Sequence, residues 1–297
     1  ARTHARTHAR VLSRLSIVHA RTRSIVHSNN MGFSYLSKQG RKKLPNYNYK
    51  GRDRSLFYKY VASPACNKLV EYFPTCLAPN MITLLGLLIM MVSHFIVYKH
   101  LPEMEGEAPT WVVVQSAVAT LVYQTLDNLD GKQARRTGSA SPLGLIFDHG
   151  VDALVTTFGG LSMTAIVQCG MTWKTLVFWI CGSLGFFMAS WEEYFTGEFD
   201  LPIINGPNEG ILLLVGLQLL TAWRGASLWT SDSIIEGVPN NTILVLFFFV
   251  GAILTVLQNM HTVYKSKRRL KQKIPFCKTL KKALPFLLVE ALAYFWF

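Results

Sequence analysis

Four aspartates stand at helical spacings in the stretch from residue 127 to residue 152. Asp127 and Asp130 are three residues apart at the end of one apolar run, and Asp148 and Asp152 are four apart at the start of the next. Each pair therefore shares a helix face, and the two helices must be antiparallel neighbours. Acids gathered at a membrane edge repel one another and lose hydration, so they need a cation. Their hard oxygen ligands suit Mg²⁺, Mn²⁺ or Ca²⁺, and the sequence predicts a metal site.

Small and basic residues lie between the acids. Gly131, Ala134 and Gly144 leave the helix faces without bulk, so a flat ligand could press against the backbone. No acid follows in the connection through Leu143, and its basic composition suits phosphate oxygens. The basic residues are Lys132, Arg135 and Arg136. A metal pair that bridges a diphosphate, with arginine neutralising the developing charge, is the arrangement used in phosphoryl transfer.

The order of these residues resembles the signature of a known family. The pattern D-x-x-D-G-x-x-A-R-x8-G-x-x-x-D-x-x-x-D is that of the CDP-alcohol phosphotransferases, and this chain matches every fixed position. The matching residues are Asp127, Asp130, Gly131, Ala134, Arg135, Gly144, Asp148 and Asp152. The segments YQTLDNLDGKQARRTGSASPLG and FDHGVDAL resemble the choline/ethanolaminephosphotransferase branch, and WEEYFTGEFDLPIINGPNEG is similar to plant-type aminoalcoholphosphotransferases. The resemblance extends from about Tyr47 to the last residue.

The resemblance implies a reaction and the partners that it needs. Two ions, Mg²⁺ or Mn²⁺, would be held by the four aspartates and would bind the diphosphate of CDP-choline or CDP-ethanolamine. Gly131, Ala134 and Gly144 would leave room for cytidine and ribose, and Arg135 would contact phosphate. Diacylglycerol from the bilayer would attack the phosphorus on the aminoalcohol side. The products would be CMP and phosphatidylcholine or phosphatidylethanolamine.

His149 is a candidate for the general base. It adjoins a metal aspartate, and imidazole has a pKa suited to removing a proton from an alcohol near neutrality. Asp152 is the competing choice that the wider family implies, and a helix-end histidine bonded to a backbone carbonyl is a third interpretation. Relatives in the resembling branch usually carry Glu where this chain has Leu145, one turn from His149. The chain therefore lacks a side chain that could orient the imidazole.

The segment from Trp191 to Gly210 is a candidate contact for the aminoalcohol headgroup. Trp191, Glu192 and Tyr194 place aromatic faces beside a carboxylate, and quaternary ammonium groups bind to such combinations. Interfacial Trp and Tyr that anchor a helix end would give the same pattern. Both interpretations stay open at this point.

Two other functions are compatible with the sequence. The nearer is another transferase of the same superfamily that uses CDP-diacylglycerol with inositol, serine or glycerol phosphate. The more distant is a membrane protein without catalysis, either a cation-binding transporter or a degenerate paralogue. The segments FDHG and WEEYFTG argue against the first alternative.

Composition indicates a polytopic helical membrane protein of the all-α class. Half of the 297 residues are hydrophobic, and they fall in long blocks and not in short alternations. The net charge of +13 comes from Lys and Arg in tails and loops beside those blocks, where they would meet anionic lipid. No nucleic-acid motif occurs, so nucleic acid is not expected as a partner. The five cysteines lack metal-binding spacing and are expected to be reduced packing residues.

The apolar blocks predict seven spans, and the positive-inside rule places the acids on the cytosolic side. The resemblance implies an endoplasmic reticulum or Golgi membrane. The predicted spans are residues 81–98, 111–126, 144–167, 173–190, 211–223, 241–263 and 283–297. Residues 1–46 are expected to be a disordered basic segment, 47–80 to contain an interfacial amphipathic helix, and 81–297 to form the transmembrane domain. The resemblance implies about three further spans and a homodimer in the full-length form, so the chain is expected to be truncated.

Overall fold

The computed structural model describes residues 37–44, 49–269 and 276–296, and most of them are helical, as predicted. The chain divides into two compact units, residues 1–47 and 48–297. In the first unit a short helix, α1 (Lys38–Lys43), lies inside the segment that the sequence predicts to be disordered. Residues 1–36, where the basic repeat lies, are outside the described residues.

The second unit contains ten described helices and one pair of short strands. The helices are α2 (Ser63–Leu69), α3 (Pro79–His100), α4 (Thr110–Thr137), α5 (Pro142–Ile166), α6 (Trp173–Thr196), α7 (Ile211–Arg224), α8 (Ser227–Thr230), α9 (Asn240–Arg269), α10 (Phe276–Leu280) and α11 (Leu284–Trp296). The strands are β1 (Gly51–Asp53) and β2 (Phe199–Leu201). Single π-helical turns occur at Tyr58–Ala62 and Gly206–Gly210. A helix lies at the position of every predicted span.

Three of the described helices are long and apolar enough to cross a membrane. They are α3, α6 and the part of α9 from Asn240 to Ser266. α4 and α5 are also long, at 28 and 25 residues, but they carry the acids and bases of the motif. The described residues thus form a helical bundle with a membrane-spanning composition, and the number of seven spans stays a prediction.

A short turn joins the two acid-bearing helices. α4 ends at Gly138, whose φ of 65° lies in the left-handed region that glycine tolerates. Ser141 then caps α5, because its side-chain oxygen accepts a hydrogen bond from the Gly144 N–H, and Pro142 follows at the first helical position. Since only residues 138–141 separate the helices, α4 and α5 must run back alongside each other.

α3 provides the surface on which α4 and α5 pack. One buried cluster combines side chains of all three helices: Leu87, Met90, Ala119, Tyr123, Val151 and Val155. A second cluster joins the far ends of the same helices: Val97, Leu101, Val112, Val113, Ala165 and Ile166. Between helices in a bilayer, such clusters stabilise the bundle through close van der Waals packing. The acidic faces of α4 and α5 are therefore held by apolar packing on a common neighbour.

β1 and β2 pair in parallel, with Gly51 opposite Phe199 and Asp53 opposite Leu201. We call the segments Gly51–Tyr58 and Phe199–Gly210 the strand junction. The sequence predicts an amphipathic helix within residues 47–80, but residues 51–53 of this range form β1. They are extended because they pair with β2, a strand much later in the chain. Helical structure follows β1, and Leu56, Tyr60 and Val61 on the predicted apolar face are exposed.

Candidate functional site

The carboxyl groups of Asp127, Asp148 and Asp152 converge between α4 and α5. One oxygen from each lies within 4.8 Å of the others. Asp130 and Asp148 are close enough to share a hydrogen bond, and so are Asp127 and Asp152. The structure thus brings together all four aspartates that the sequence predicts as metal ligands.

The helical register explains which acids meet. α4 ends at Thr137 and α5 begins at Pro142. Counted from these two helix ends, Asp127 on α4 and Asp152 on α5 are the same number of residues away from the turn. Asp130 and Asp148 are matched in the same way to within one residue. Because each residue adds about 1.5 Å along either helix, matched positions lie at the same depth from the turn. The order of pairing follows directly from the short connection.

The hydrogen bonds to these acids come from neutral side chains. Thr83 Oγ1 on α3 donates to Asp130 Oδ2, and the Tyr123 hydroxyl donates to Asp152 Oδ1. Asp148 Oδ1 is buried and has no hydrogen-bond partner among the described residues. Within residues 37–44, 49–269 and 276–296, no lysine or arginine forms an ion pair with any of the four. The described protein leaves most of this negative charge unbalanced.

The donor set fits a divalent cation. All four groups are carboxylates, three of them offer an oxygen to a common point, and one buried oxygen lacks any partner. Hard oxygen ligands in this number suit Mg²⁺ or Mn²⁺, and buried acids of like charge are costly without a cation. The residues present therefore match the predicted metal site.

Two of the three basic residues in the motif are engaged by the protein. Lys132 is buried, and its Nζ donates to Ser63 Oγ at 2.9 Å and to Asn67 Oδ1 at 2.8 Å. Arg136 Nη1 donates to the Val70 carbonyl oxygen at 2.6 Å. Both side chains thus connect α4 to the segment around α2, and neither is free to bind phosphate without breaking these bonds.

The Arg135 side chain is exposed and makes no hydrogen bond or ion pair with the described residues. Its Nη1 lies 3.5 Å from the position that a Cβ on Gly131 would occupy, so the guanidinium folds over that glycine. A Cβ on Gly144 would lie 3.3 Å from Ser141 Oγ and 3.5 Å from Asn80 Oδ1. Ala134 is half-buried. Of the motif's basic residues, Arg135 is the one available to a phosphate group.

His149 lies next to the acidic cluster and contacts two aromatic rings. The imidazole centroid is 6.0 Å from the ring of Phe186 on α6 and 5.5 Å from the ring of Phe199 on β2. The side chain is half-buried. Leu145, one turn earlier on α5, is also half-buried and supplies no polar group to the imidazole. The role of His149 as a base stays a prediction.

The predicted headgroup residues have three different environments. The Trp191 ring is 4% exposed, packs with Met188 and Val263, and donates from Nε1 to the Thr279 carbonyl oxygen at 3.3 Å. Glu192 is buried, whereas Tyr194 is 70% exposed. A headgroup could reach the Tyr194 ring directly, but contact with Trp191 would require movement of its neighbours.

Tyr123 and Thr83 both donate to the acids but were not predicted as site residues from the sequence. Helical periodicity contains a signal for Tyr123, which lies four residues before Asp127 on the same face of α4. Thr83 lies on another helix, 47 residues from Asp130, and spacing provides no signal for such a contact.

A helical bundle of membrane-spanning composition, with a carboxylate centre between two neighbouring helices, defines the class of protein. Comparison with known sequences gives the family. The sequence model of the CDP-alcohol phosphatidyltransferase family matches residues 76–235, which include the four aspartates and His149. The chain belongs to this family, as the motif predicts.

Relatives in other organisms cover most of the chain. It is 37% identical over 246 residues to choline/ethanolaminephosphotransferase 1 of Arabidopsis thaliana, covering 79% of this chain and 63% of that protein. It is 38% identical over 264 residues to an uncharacterized CDP-alcohol phosphatidyltransferase class-I family protein of Dictyostelium discoideum, covering 89% and 63%. Cholinephosphotransferase 1 of Xenopus laevis is 39% identical over 223 residues, covering 73% and 54%. The chain spans 63% or less of the length of these relatives.

Proposed function

We propose that the chain transfers phosphocholine or phosphoethanolamine from CDP-choline or CDP-ethanolamine to diacylglycerol. The convergence of Asp127, Asp148 and Asp152 within 4.8 Å on two neighbouring helices carries this proposal. The names of the Arabidopsis and Xenopus relatives support an aminoalcohol as the transferred group. The products are phosphatidylcholine or phosphatidylethanolamine, which stays in the membrane, and CMP, which leaves.

The four aspartates would hold two divalent ions, Mg²⁺ or Mn²⁺. When bound, such ions neutralise the charge of a diphosphate and polarise its oxygens. Arg135 contacts a phosphate oxygen, because its guanidinium is exposed and unpaired within the described chain. Gly131, Ala134 and Gly144 leave the adjacent helix surface open to the cytidine and ribose.

His149 takes the proton from the diacylglycerol hydroxyl. That oxygen forms a bond to the phosphorus on the aminoalcohol side, and the bond from this phosphorus to the CMP oxygen breaks with its electron pair on CMP. Asp152 is the alternative base. We favour His149 because Asp152 already accepts from Tyr123 and belongs to the close group of carboxylates. Trp191, Glu192 and Tyr194 are proposed to bind the aminoalcohol.

The proposal includes an arrangement in the membrane. Residues 81–297 cross the bilayer seven times, 47–80 lie partly in the headgroup layer, and 1–46 lie outside the transmembrane domain. The exposed Leu56, Tyr60 and Val61 support the interfacial placement. The acids face the cytosol of an endoplasmic reticulum or Golgi membrane, since the nucleotide donor is soluble and the acceptor is a lipid. The protein is proposed to form a homodimer.

A donor and acceptor competition assay tests this function. Membranes containing the chain receive Mg²⁺ or Mn²⁺, diacylglycerol and radiolabelled CDP-choline or CDP-ethanolamine, and labelled phospholipid is measured. Parallel reactions contain CDP-diacylglycerol with inositol, serine or glycerol phosphate. Membranes that contain the Asp148→Asn variant give the background rate. We expect label in phosphatidylcholine or phosphatidylethanolamine only. Product from the CDP-diacylglycerol reactions alone would assign the chain to another branch of the family.

A further inference from the structure

The strand junction contacts both acid-bearing helices. On α4, Gln124 Nε2 donates to the Pro207 carbonyl oxygen at 3.0 Å, and Gln124 lies three residues before Asp127. On α5, the ring of Phe199 lies 5.5 Å from the imidazole of His149. The segment Phe199–Gly210 therefore connects the helix that carries one pair of acids with the helix that carries the other.

β1, which lies much earlier in the chain, holds the segment that begins at Phe199 in place. The Phe199 N–H donates to the carbonyl oxygen of Lys50 at 2.8 Å, so the residue that contacts His149 is itself bonded to the residue directly before β1. Arg54 binds Asp200 through two guanidinium nitrogens. A paired guanidinium and carboxylate is directional as well as attractive, so it fixes the register of β1 against β2.

A buried polar network completes the attachment. Asp53 accepts hydrogen bonds from the side chains of Asn205 and Asn208 at 3.1 and 2.6 Å. Ser55 is buried and donates to Glu209 at 2.6 Å. Each of these bonds joins the β1 side of the junction to the segment that follows β2. Because buried polar groups are costly to separate from their partners, the network opposes any sliding of Phe199 away from α5.

We propose that the strand junction positions His149 for catalysis, with Arg54 and Asp200 as the positioning pair and Phe199 as the side chain that touches the imidazole. The inference rests on the proposed function, in which His149 accepts the proton of the acceptor hydroxyl. Phe186 on α6 bounds the imidazole on one side and Phe199 on another. Loss of the Phe199 contact would free the imidazole to turn away from the acids. Arg54 and Asp200 act through Phe199 and do not touch the substrate.

Charge reversal and exchange test the positioning pair. Arg54→Asp and Asp200→Arg each place like charges together, and the double variant restores opposite charges in exchanged positions. A misplaced catalytic group lowers the rate more than the affinity, so we expect each single variant to lose about tenfold in kcat with little change in the KM for the CDP donor. The double variant should recover most of the lost kcat. Lys59→Asp makes the same charge change on an exposed side chain directly after the junction segment and should leave kcat unchanged.

A chemical readout of His149 does not depend on transferase activity. Diethyl pyrocarbonate modifies accessible imidazoles, and mass spectrometry gives the rate at each histidine at one fixed pH. We expect Arg54→Asp and Phe199→Leu to raise the rate at His149 about threefold or more, because Phe199→Leu removes the ring that covers the imidazole and Arg54→Asp loosens the strand that holds this ring. His100, which bonds to the Ile96 carbonyl oxygen at the end of α3, is the internal reference and should not change. Phe199→Leu leaves the polar network of the junction intact, so it covers the case in which a charge reversal prevents folding.

The two readouts separate failure of the inference from failure of the proposed function. If the rate at His149 rises in the single variants and falls again in the double variant, positioning is supported even in a chain that transfers nothing. If the modification rate in Arg54→Asp and Phe199→Leu equals that of the wild type, the positioning role is overturned. An active chain whose kcat is unaffected by Arg54→Asp would overturn it as well.

Discussion

The metal centre and the strand junction both contain buried or half-buried acids, but the acids have different partners. At the junction, Asp53, Asp200 and Glu209 all accept hydrogen bonds from described donors, and Asp200 also pairs with Arg54. At the centre, Asp148 has a buried oxygen without a partner among the described residues, and the side chains that donate to Asp130 and Asp152 are neutral hydroxyl groups. The acids of the junction thus accept hydrogen bonds within the described protein, and Asp200 has an ion pair as well, whereas the centre contains a buried carboxylate oxygen that no described donor reaches.

This difference indicates what each region does. Acids that are fully bonded within the protein hold two segments together, and their removal weakens that attachment. Acids that repel one another without a cation destabilise the fold, and they are retained where a ligand supplies the missing charge. Hydrogen-bond partners therefore distinguish the acids of the strand junction from those proposed to bind metal.

The largest effect is expected from Asp148→Asn. Asparagine keeps the shape but removes one negative charge from the centre, so transferase activity should fall by about a thousandfold or more. Without added metal the variant should unfold at the same temperature as the wild type or higher, because it has less repulsion. Initial rates of CMP release and thermal unfolding in detergent measure the two quantities. A variant that is inactive because it has unfolded would remove the contrast between the two regions.

Divalent ions should stabilise the wild type and not Asp148→Asn. An ion present at about one hundred times its dissociation constant adds about 2.7 kcal/mol to the free energy of unfolding. Thermal unfolding with and without Mn²⁺ or Mg²⁺, and after chelation, measures this stabilisation of the folded state. Asp200→Asn is the matched control from the junction and should respond to the ions as the wild type does. Equal stabilisation of Asp148→Asn would place the ions elsewhere.

The neighbouring residues Arg135 and Arg136 should respond differently to replacement by alanine. Arg135→Ala should raise the KM for the CDP donor by about 10- to 100-fold, because a charge-assisted contact with phosphate contributes about 1.5–3 kcal/mol. Arg136→Ala should lower the unfolding temperature, because Arg136 bonds to the carbonyl oxygens of Val70 and Phe73. Steady-state kinetics and thermal unfolding of both variants give the comparison. The assignment fails if Arg136→Ala produces the larger change in KM.

The smallest effect concerns Asp53 and pH. Burial, with a contribution from the nearby Glu209 carboxylate, raises the pKa of Asp53 above its ordinary value of 3.8. The folded state therefore holds this proton more tightly than the unfolded state, and stability falls as pH rises from 3.8 to the folded pKa. Asp53→Asn should lack this decline. The free energy of unfolding of wild type and variant is measured at several pH values from about 4 to about 6. The difference between the two proteins isolates the contribution of Asp53 from that of the other acids. A difference that does not change with pH would show that Asp53 does not titrate in this range.

Much of the fold was predictable because its signals are local. Apolar blocks placed a helix at each predicted span, and the spacing of the acids predicted two neighbouring antiparallel helices. The strand pairing was not predictable, since Gly51–Asp53 is short and meets a partner about 150 residues away. The burial of Trp191 was also missed, because its neighbours Val263 and Thr279 lie on later parts of the chain.

The sequence by itself determined the family, the four aspartates and the helices that bring them together. Helical periodicity and a four-residue turn are sufficient for that, because they fix side-chain direction and depth along each helix. Only the tertiary structure decided which basic side chains are hydrogen-bonded within the protein: Lys132 and Arg136 bond to the segment around α2, and the Arg135 side chain stays free among the described residues. The three have similar chemistry and adjacent positions, so only the surroundings supplied by distant segments distinguish them.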